Sequence, residues 1–268
     1  MEHKILIGQG KTAEVFEWET DKILKLFRQG IPKKIIEYEY ESSLNIYKKL
    51  NLTPKVYKVV EMENRYGIIY ERINGITMMK TIASKPWTLK REAKKLAELH
   101  KCIQQEVDFK LSNYKIKLKN DISKTDLLSN DIKINLHKYI EKLDDGNVLC
   151  HGDFHPENII LTKNKQIVID WMTATKSSPA ADVARTSIIF KFGIVLEKTY
   201  IEEKIINFIR NMFYEEYLKH YISISEVKIE QIQQWELPVA AARLNESIPE
   251  KEKSNILKYI NKRIGLIC

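Results

Sequence analysis

The feature that most restricts the fold of this chain is a series of short apolar segments and polar residues between Asn147 and Trp171. Its apolar segments at 147–150, 159–162 and 166–169 have the length of strands, and a polar turn at 163–165 joins the last two as a hairpin. Polar residues therefore fall at strand ends and in a tight loop, where strands can hold them in fixed positions. These residues are His151, Asp153, Asn158 and Asp170.

The residue types and their spacing match the needs of phosphoryl transfer. That reaction needs a carboxylate that accepts the proton of the attacking hydroxyl, and oxygen ligands that hold Mg²⁺ against nucleotide phosphates. Asp153 precedes Asn158 with the spacing of a kinase catalytic loop, and Asp170 ends the next hairpin strand. One aspartate would then be the base, and the other aspartate and the asparagine would bind the metal. A purely structural polar loop is the alternative, but several residue types at fixed offsets favour catalysis.

The stretch resembles the signature of the aminoglycoside phosphotransferase family, kinase-like enzymes that phosphorylate hydroxyl groups of small molecules. The resemblance implies Asp153 as the catalytic base and Asn158 and Asp170 as Mg²⁺ ligands. It also implies that His151 supports the loop. His155 fits a common variant of the family, and we expect it to hydrogen-bond the loop rather than react.

Composition excludes some other classes of protein. Hydrophobic residues make up 44% of the 268 residues and charged residues 30%, which is ordinary for a soluble globular protein. The length allows a large core in one domain or in two lobes packed across a cleft. The net charge of +8 comes from lysines on many predicted helix faces, without the basic runs and interleaved aromatic residues of a nucleic-acid surface. We therefore expect no nucleic-acid partner.

Cysteine usage and hydropathy indicate the compartment. Cys102, Cys150 and Cys268 are far apart in the sequence and lack metal-ligand spacing, which fits a reducing cytoplasm. No positively charged segment followed by an apolar one opens the sequence, and no run reaches the roughly 18 apolar residues of a membrane span. We expect a cytoplasmic protein without a membrane partner, present as a monomer or a weak dimer.

A glycine-containing hairpin is predicted between Lys4 and Trp18, because alternating apolar residues flank Gly8-Gln9-Gly10. Glycine lets backbone N–H groups approach phosphate oxygens closely, so we predict that Gly8 and Gly10 bind the nucleotide. A plain hairpin turn is the alternative. Ala13 stands where protein kinases carry a third glycine, so this loop should make fewer close contacts with phosphates.

The next predicted strand, from Lys22 to Arg28, has Lys25 at its centre. Lys25 points to the face opposite its leucine neighbours, where it either meets water or, in a kinase-like arrangement, contacts the α- and β-phosphates. In that arrangement a carboxylate from the following helix holds the lysine. We predict the second role for Lys25.

The following helix is predicted over about residues 33–50, after Pro32. Its apolar stripe consists of Ile36, Tyr40, Leu44 and Tyr47. Glu37 and Glu41 border this stripe, whereas Glu39 lies off it. The family resemblance selects Glu41 as the partner of Lys25, and Glu37 is the alternative.

Two strands are predicted at about 56–61 and 66–71, and the segment that follows them to Gly75 resembles the family's linker between lobes. The resemblance implies that backbone groups of Glu71 and Ile73 bind the adenine edge. We therefore predict an α+β, bilobal protein-kinase-like fold. Residues 1–73 would form a nucleotide-binding lobe with a small antiparallel sheet, and residues 74–268 a mainly helical catalytic and acceptor-binding lobe.

The residues around Asp170 distinguish two kinds of kinase. Protein kinases follow this aspartate with Phe-Gly and a long activation loop, and place an arginine before the catalytic aspartate. Here Trp171 follows Asp170 and Gly152 precedes Asp153, so a small-molecule acceptor is favoured. The segment P-A-A-D-V-A-R also resembles the family and implies that Asp182 braces the catalytic loop.

We therefore predict an Mg²⁺-dependent phosphotransferase that moves the γ-phosphate of ATP or GTP to a hydroxyl of a small molecule. An aminoglycoside antibiotic is one candidate acceptor, with antibiotic resistance as the role. The alternatives are a small-metabolite kinase of the choline, homoserine or sugar type, an atypical protein kinase, and a catalytically silent nucleotide-binding module. The resemblance places Glu246 among the residues of the family's acceptor pocket. Acidic walls there would suit an aminoglycoside, whereas the net charge of +8 points mildly the other way.

Overall fold

The computed structural model describes residues 5–10, 12–194 and 199–267. Contacts within the chain divide it into two compact units. Unit 1 comprises Met1–Ala83 and Pro156–Thr173, and unit 2 comprises Ser84–His155 and Ala174–Cys268. The functional division predicted at residue 73 stays a prediction.

The elements are named in chain order. The strands are β1 (Leu6–Gln9), β2 (Ala13–Glu17), β3 (Lys22–Phe27), β4 (Val56–Met62), β5 (Arg65–Glu71), β6 (Ile76–Thr77), β7 (Val148–Cys150), β8 (Ile159–Leu161), β9 (Gln166–Val168) and β10 (Thr175–Ser177). The α-helices are α1 (Lys33–Leu50), α2 (Met78–Ser84), α3 (Leu89–Ile103), α4 (Tyr114–Lys124), α5 (Asn130–Lys142), α6 (Pro179–Phe192), α7 (Tyr200–Ile224), α8 (Ile229–Arg243) and α9 (Glu250–Arg263). Short 3₁₀ helices lie at Pro86–Thr88, Pro156–Asn158, Trp171–Thr173 and Ile264–Leu266.

Unit 1 contains an antiparallel sheet in the order β1-β2-β3-β5-β4, with α1 packed against it. The core between them includes Phe27, Ile36, Val56 and Ile68, which lose nearly all of their exposure to water. Such apolar burial is the main favourable term in folding. This packing fixes the positions of β3 and α1, which carry Lys25 and the candidate glutamates.

A smaller sheet in unit 1 has the order β6-β8-β9. Strands β8 and β9 form the predicted hairpin, with Ile159 opposite Val168. A Cβ at Gly75 would clash with the Leu161 carbonyl, so only glycine permits this close approach of β6 to β8. Asn158 directly precedes β8, and Asp170 lies two residues after the end of β9.

Unit 2 is mainly helical, and α6 is its central element because it packs against α7, α8, α9 and β7. Most residues of α6 are buried, whichever face they occupy, and many of them are small. Two buried residues of this helix are charged, Asp182 and Arg185. Strands β7 and β10 pair antiparallel next to α6, and β7 leads directly into the loop that carries Asp153.

The predicted α+β class, with an antiparallel N-terminal sheet and a mainly helical remainder, is confirmed. Helix α1 has the predicted bounds. Helix α3 ends at Ile103, and beyond it Gln105 and Val107 form backbone hydrogen bonds with Leu149 and Asn147. No described helix combines the length and the apolar character needed to cross a membrane.

Candidate active site

Lys25 forms two ion pairs within unit 1. Its Nζ donates to Glu39 Oε1 at 2.7 Å and to Asp170 Oδ1 at 2.9 Å. Only 14% of the lysine side chain and 1% of that of Glu39 are exposed. Burial by itself would lower the pKa of Lys25, but the two carboxylates raise it above its usual range. Lys25 is therefore held as a cation beside the end of the β8–β9 hairpin.

The prediction that Glu41 pairs with Lys25 is wrong, and so is the alternative, Glu37. Glu41 is exposed, and Glu37 pairs with Lys33 at 3.6 Å on the surface. The face of α1 that turns inward carries Ile36, Glu39, Ser43, Ile46 and Leu50, at alternating spacings of three and four. Tyr40, Leu44 and Tyr47 are not among the fully buried residues of α1, so the apolar stripe in the sequence indicated a neighbouring face.

Tyr70 adds a further contact to this pair. Its hydroxyl donates to Glu39 Oε1 at 3.0 Å, and Ser43 Oγ lies 3.2 Å from the same hydroxyl. Burial raises the pKa of Glu39, and the Lys25 ammonium opposes that effect. Two polar residues, Glu39 and Ser43, thus lie on the inner face of α1, because Glu39 pairs with the Lys25 ammonium and Ser43 contacts the Tyr70 hydroxyl.

Asn158 and Asp170 lie at the open end of the β8–β9 hairpin. The Ile169 N–H donates to the Asn158 carbonyl at 2.9 Å, so the two predicted metal ligands are near neighbours. Asp170 has φ +63°, a left-handed conformation that is unfavourable for a residue other than glycine. Trp171 is buried and donates from Nε1 to the Val168 carbonyl at 3.1 Å, which anchors the strained residue.

The glycine hairpin forms as predicted, with Gln9 opposite Glu14 and the Gly10 N–H donating to the Ala13 carbonyl at 2.8 Å. Neither Gly8 nor Gly10 has a positive φ, and a Cβ at either would make ordinary van der Waals contacts. Hairpin geometry therefore does not by itself require glycine here. The predicted contact with phosphates remains the reason to single out Gly8 and Gly10. Lys11, which follows Gly10, lies outside the described residues.

In the linker after β5, two amides are already used within unit 1. The Glu71 N–H donates to the Lys55 carbonyl and the Arg72 N–H to the Asp21 carbonyl, each at 2.8 Å. The Glu71 carboxylate accepts from the Lys55 N–H at 3.0 Å. If the adenine edge binds here, Glu71 has to contribute its carbonyl.

The loop that carries Asp153 is attached to α6 in unit 2 through Asp182. Its carboxylate accepts the N–H groups of His151 and Gly152, each at 2.8 Å, and Nε2–H of His100 at 2.9 Å. Burial alone would raise the pKa of Asp182, but His100 and the Gly152 N–H lower it. His100 is buried, and its Nδ1 lies 2.6 Å from the Tyr217 hydroxyl. These are the contacts of a bracing residue.

Gly152 has φ +78°, so the loop needs a glycine at this position. We expect Gly152→Ala to lower the free energy of unfolding by about 1–3 kcal/mol, because alanine is strained in this region. Urea unfolding would measure the change. Gly265→Ala is the matched control: this glycine has no positive φ and a Cβ added to it would meet nothing within 4 Å, so a change of at most about 0.5 kcal/mol is expected. Equal losses in both variants would contradict the assignment of strain to Gly152.

Asp153 is held by three neighbours. Its N–H donates to His151 Nδ1 at 3.1 Å, its Oδ2 lies 3.3 Å from His155 Nε2, and its Oδ1 lies 3.8 Å from an Arg185 nitrogen. Burial would raise the pKa of Asp153, but the His155 hydrogen bond and the charges of His155 and Arg185 lower it below its usual range. Asp153 is therefore ionised at neutral pH, with 34% of its side chain exposed.

The chain was compared with known families and structures. The model of the phosphotransferase enzyme family, APH, matches residues 5–208. The chain belongs to this phosphotransferase family. No curated protein sequence matches the chain.

Solved structures similar to this phosphotransferase include three kinds of kinase. A streptomycin-ATP-APH(2″)-IIa ternary complex has a TM-score of 0.59 at 17% identity, and the match covers 98% of this chain and 93% of that one. A choline/ethanolamine kinase family protein from Mesorhizobium loti gives 0.59 at 14% identity, covering 99% and 87%. A putative fructosamine-3-kinase from Haemophilus somnus gives 0.60 at 16% identity, covering 99% and 91%. These likenesses confirm the predicted kinase-like fold.

Sequence reasoning about this phosphotransferase missed one residue near Asp153, Arg185. The Arg185 guanidinium donates from Nε to the Gly152 carbonyl at 3.0 Å and pairs with Glu246 at 2.7 Å. The sequence did contain one signal: Arg185 lies three residues after Asp182, which puts both on one side of α6. Glu246, which follows α8, was placed in the acceptor pocket by the family resemblance, but its ion pair with Arg185 was not predicted.

Proposed function

We propose that this phosphotransferase moves the γ-phosphate of ATP or GTP to a hydroxyl group of a small molecule. The observation that carries the proposal is the ammonium of Lys25, held within unit 1 between Glu39 and Asp170. A lysine fixed by a helix glutamate is the arrangement that kinases use to contact nucleotide phosphates. The ATP in the similar APH(2″)-IIa complex supports the same co-substrate here.

Asn158 and Asp170 fit a magnesium ion. They offer an amide and a carboxylate oxygen, the hard ligands that Mg²⁺ prefers, and 45% of the Asp170 side chain is exposed although it pairs with Lys25. Among the described residues no group of three His, Cys, Asp or Glu side chains could hold a metal. Mg²⁺ commonly uses one or two carboxylates together with phosphates and water, so this pair suffices. When bound, the ion neutralises charge on the phosphates.

In this proposal the remaining residues position the reactants. Lys25 contacts the α- and β-phosphates, and backbone groups at Gly8 and Gly10 approach the phosphates. The Glu71 carbonyl and the Ile73 backbone bind the adenine edge. Asp153 orients the acceptor hydroxyl and accepts its proton, while His151, His155 and Asp182 hold the catalytic loop. No covalent enzyme intermediate is required.

The charges near Asp153 favour a neutral or singly charged acceptor over a polycationic aminoglycoside. Both oxygens of Glu246 are already paired with arginines, and Asp153 itself lies beside His155 and Arg185. These two carboxylates are therefore poorly suited to hold several ammonium groups. These contacts support a kinase that acts on a hydroxylated metabolite, such as an amino alcohol or a sugar.

The test is turnover of Mg-ATP and Mg-GTP by the purified protein over a panel of amino alcohols, sugars, aminoglycosides and macrolides. We expect at least one amino alcohol or sugar to accelerate ADP or GDP release, with a phosphate monoester appearing in the ³¹P NMR spectrum. Acceleration by aminoglycosides alone would contradict the proposed acceptor class but would support the proposed reaction. Nucleotide binding without acceleration by any acceptor would favour a silent binding module, and phosphate on a protein would favour an atypical protein kinase.

A further inference from the structure

Unit 2 contains a row of five alternating charges that begins at Asp153. Asp153 lies 3.8 Å from Arg185, and Arg185 pairs with Glu246 at 2.7 Å. Glu246 also pairs with Arg243 at 3.1 Å, and Arg243 with Glu252 at 2.6 Å. The row thus connects the catalytic loop through α6 and α8 to α9. Apart from Asp153 and Glu246, its members are almost completely buried.

Arg185 differs from the rest of the row because it contacts the loop in two places. Its Nε donates to the Gly152 carbonyl at 3.0 Å, while the terminal nitrogens contact Glu246 and face Asp153 Oδ1. The guanidinium fork is planar and its donors point in fixed directions. Three of these directions are fixed by Gly152 and by the two Glu246 oxygens, so the nitrogen facing Asp153 has little freedom to move.

Arg243 provides a natural comparison. It has the same partner, Glu246, and its side chain is as exposed as that of Arg185, 10% in both cases. Its side-chain hydrogen bonds in the described part of the chain are to Glu246 and Glu252, and none of them is to the loop that carries Asp153. Arg185 therefore connects Asp153 to the row, whereas Arg243 only extends the row to Glu252.

We propose that Arg185 is a positioning residue for Asp153: it fixes the carboxylate and the adjoining Gly152 peptide in the orientation that accepts the acceptor's proton. The inference rests on the proposed role of Asp153. It also assigns Glu246 as the counter-ion of Arg185. Because both Glu246 oxygens are bound by arginines, this carboxylate is not an ammonium subsite for the acceptor.

The kinetic test compares Arg185→Met with Arg243→Met. Each variant removes one buried cation from Glu246, and Arg243→Met also takes the ion-pair partner from the buried Glu252, so Tm should fall at least as far in Arg243→Met as in Arg185→Met. We expect kcat to fall about 10²-fold in Arg185→Met, since a small misplacement of a catalytic group costs that much. The KM for nucleotide should be unchanged there, and Arg243→Met should keep a nearly normal kcat. Added guanidinium should restore part of kcat in Arg185→Ala, and methylammonium should not. Equal losses of kcat in the two methionine variants would overturn the proposal.

A second measurement does not depend on turnover. The ¹³C NMR signal of the Asp153 carboxyl, assigned by its loss in Asp153→Asn, should shift in Arg185→Met and stay in place in Arg243→Met. An unshifted signal in Arg185→Met would overturn the inference whatever the activity. A shifted signal in a protein that phosphorylates no acceptor would instead refute the proposed function and leave the contact between Arg185 and Asp153 established.

The double variant Arg185→Met/Glu246→Leu covers the case in which Arg185→Met does not fold. Replacing both Arg185 and its partner Glu246 with apolar residues avoids leaving either charge of this pair uncompensated. The double variant should regain Tm and still show the about 10²-fold loss of kcat. Recovery of kcat together with Tm would show a structural role only, and would contradict positioning.

Discussion

Asp153→Asn is expected to lower kcat by about 10²–10⁴-fold, with little change in the Kd for Mg-ATP. Asparagine has the shape of aspartate and can keep the contact of its backbone N–H with His151 Nδ1, but it cannot accept a proton from a hydroxyl. The lowered pKa of Asp153 means that the carboxylate is ionised before the acceptor arrives. Its contribution would be to orient the hydroxyl and to accept its proton.

Steady-state kinetics with an accepted substrate would measure kcat, and calorimetry would measure the Kd. Asp144→Asn is the control, because this carboxylate belongs to the same unit and is exposed. If Asp153→Asn kept the wild-type kcat, the proton would have to leave by another route, and the assignment of Asp153 as the base would be wrong.

Glu39→Gln is expected to lower kcat/KM for the nucleotide by about 10²-fold. Glutamine at this position removes the buried negative charge that lies 2.7 Å from Lys25 Nζ, so Lys25 keeps only the ion pair with Asp170. The ammonium would shift toward Asp170 and away from the position between the two carboxylates. A buried pair that loses one partner also loses stability, so Tm should fall as well.

Glu41→Gln is the matched control on the same helix, since Glu41 is exposed and was the partner favoured by the sequence. Its kcat/KM and Tm should match those of the wild type. A loss in Glu41→Gln as large as that in Glu39→Gln would mean that the pairing of Lys25 is not the one the structure shows. Steady-state kinetics at saturating acceptor and thermal unfolding would decide.

Local patterns in the sequence were sufficient to predict the strands and loops between Asn147 and Trp171 and most of the other helices and strands. Short apolar runs around a polar turn predicted the β8–β9 hairpin, and α1 has the predicted bounds. Asn158 and Asp170 were expected together because a two-stranded hairpin brings its ends together, whatever surrounds it. Signals of this kind depend on neighbours within a few residues, which the sequence lists directly.

The tertiary structure alone decided which polar and charged groups are paired. Lys25 and Glu39 are 14 residues apart, Gly152 and Arg185 are 33 apart, and Arg185 and Glu246 are 61 apart. Hydrophobic periodicity marks the apolar face of a helix, so it rejected Glu39 although that glutamate faces inward. A carboxylate can be buried only where a cation compensates its lost hydration, and packing of distant segments supplies that cation. The sequence therefore determined the reaction class and the loop that carries Asp153, while the fold selected the partners that hold Lys25 and Asp153 in place.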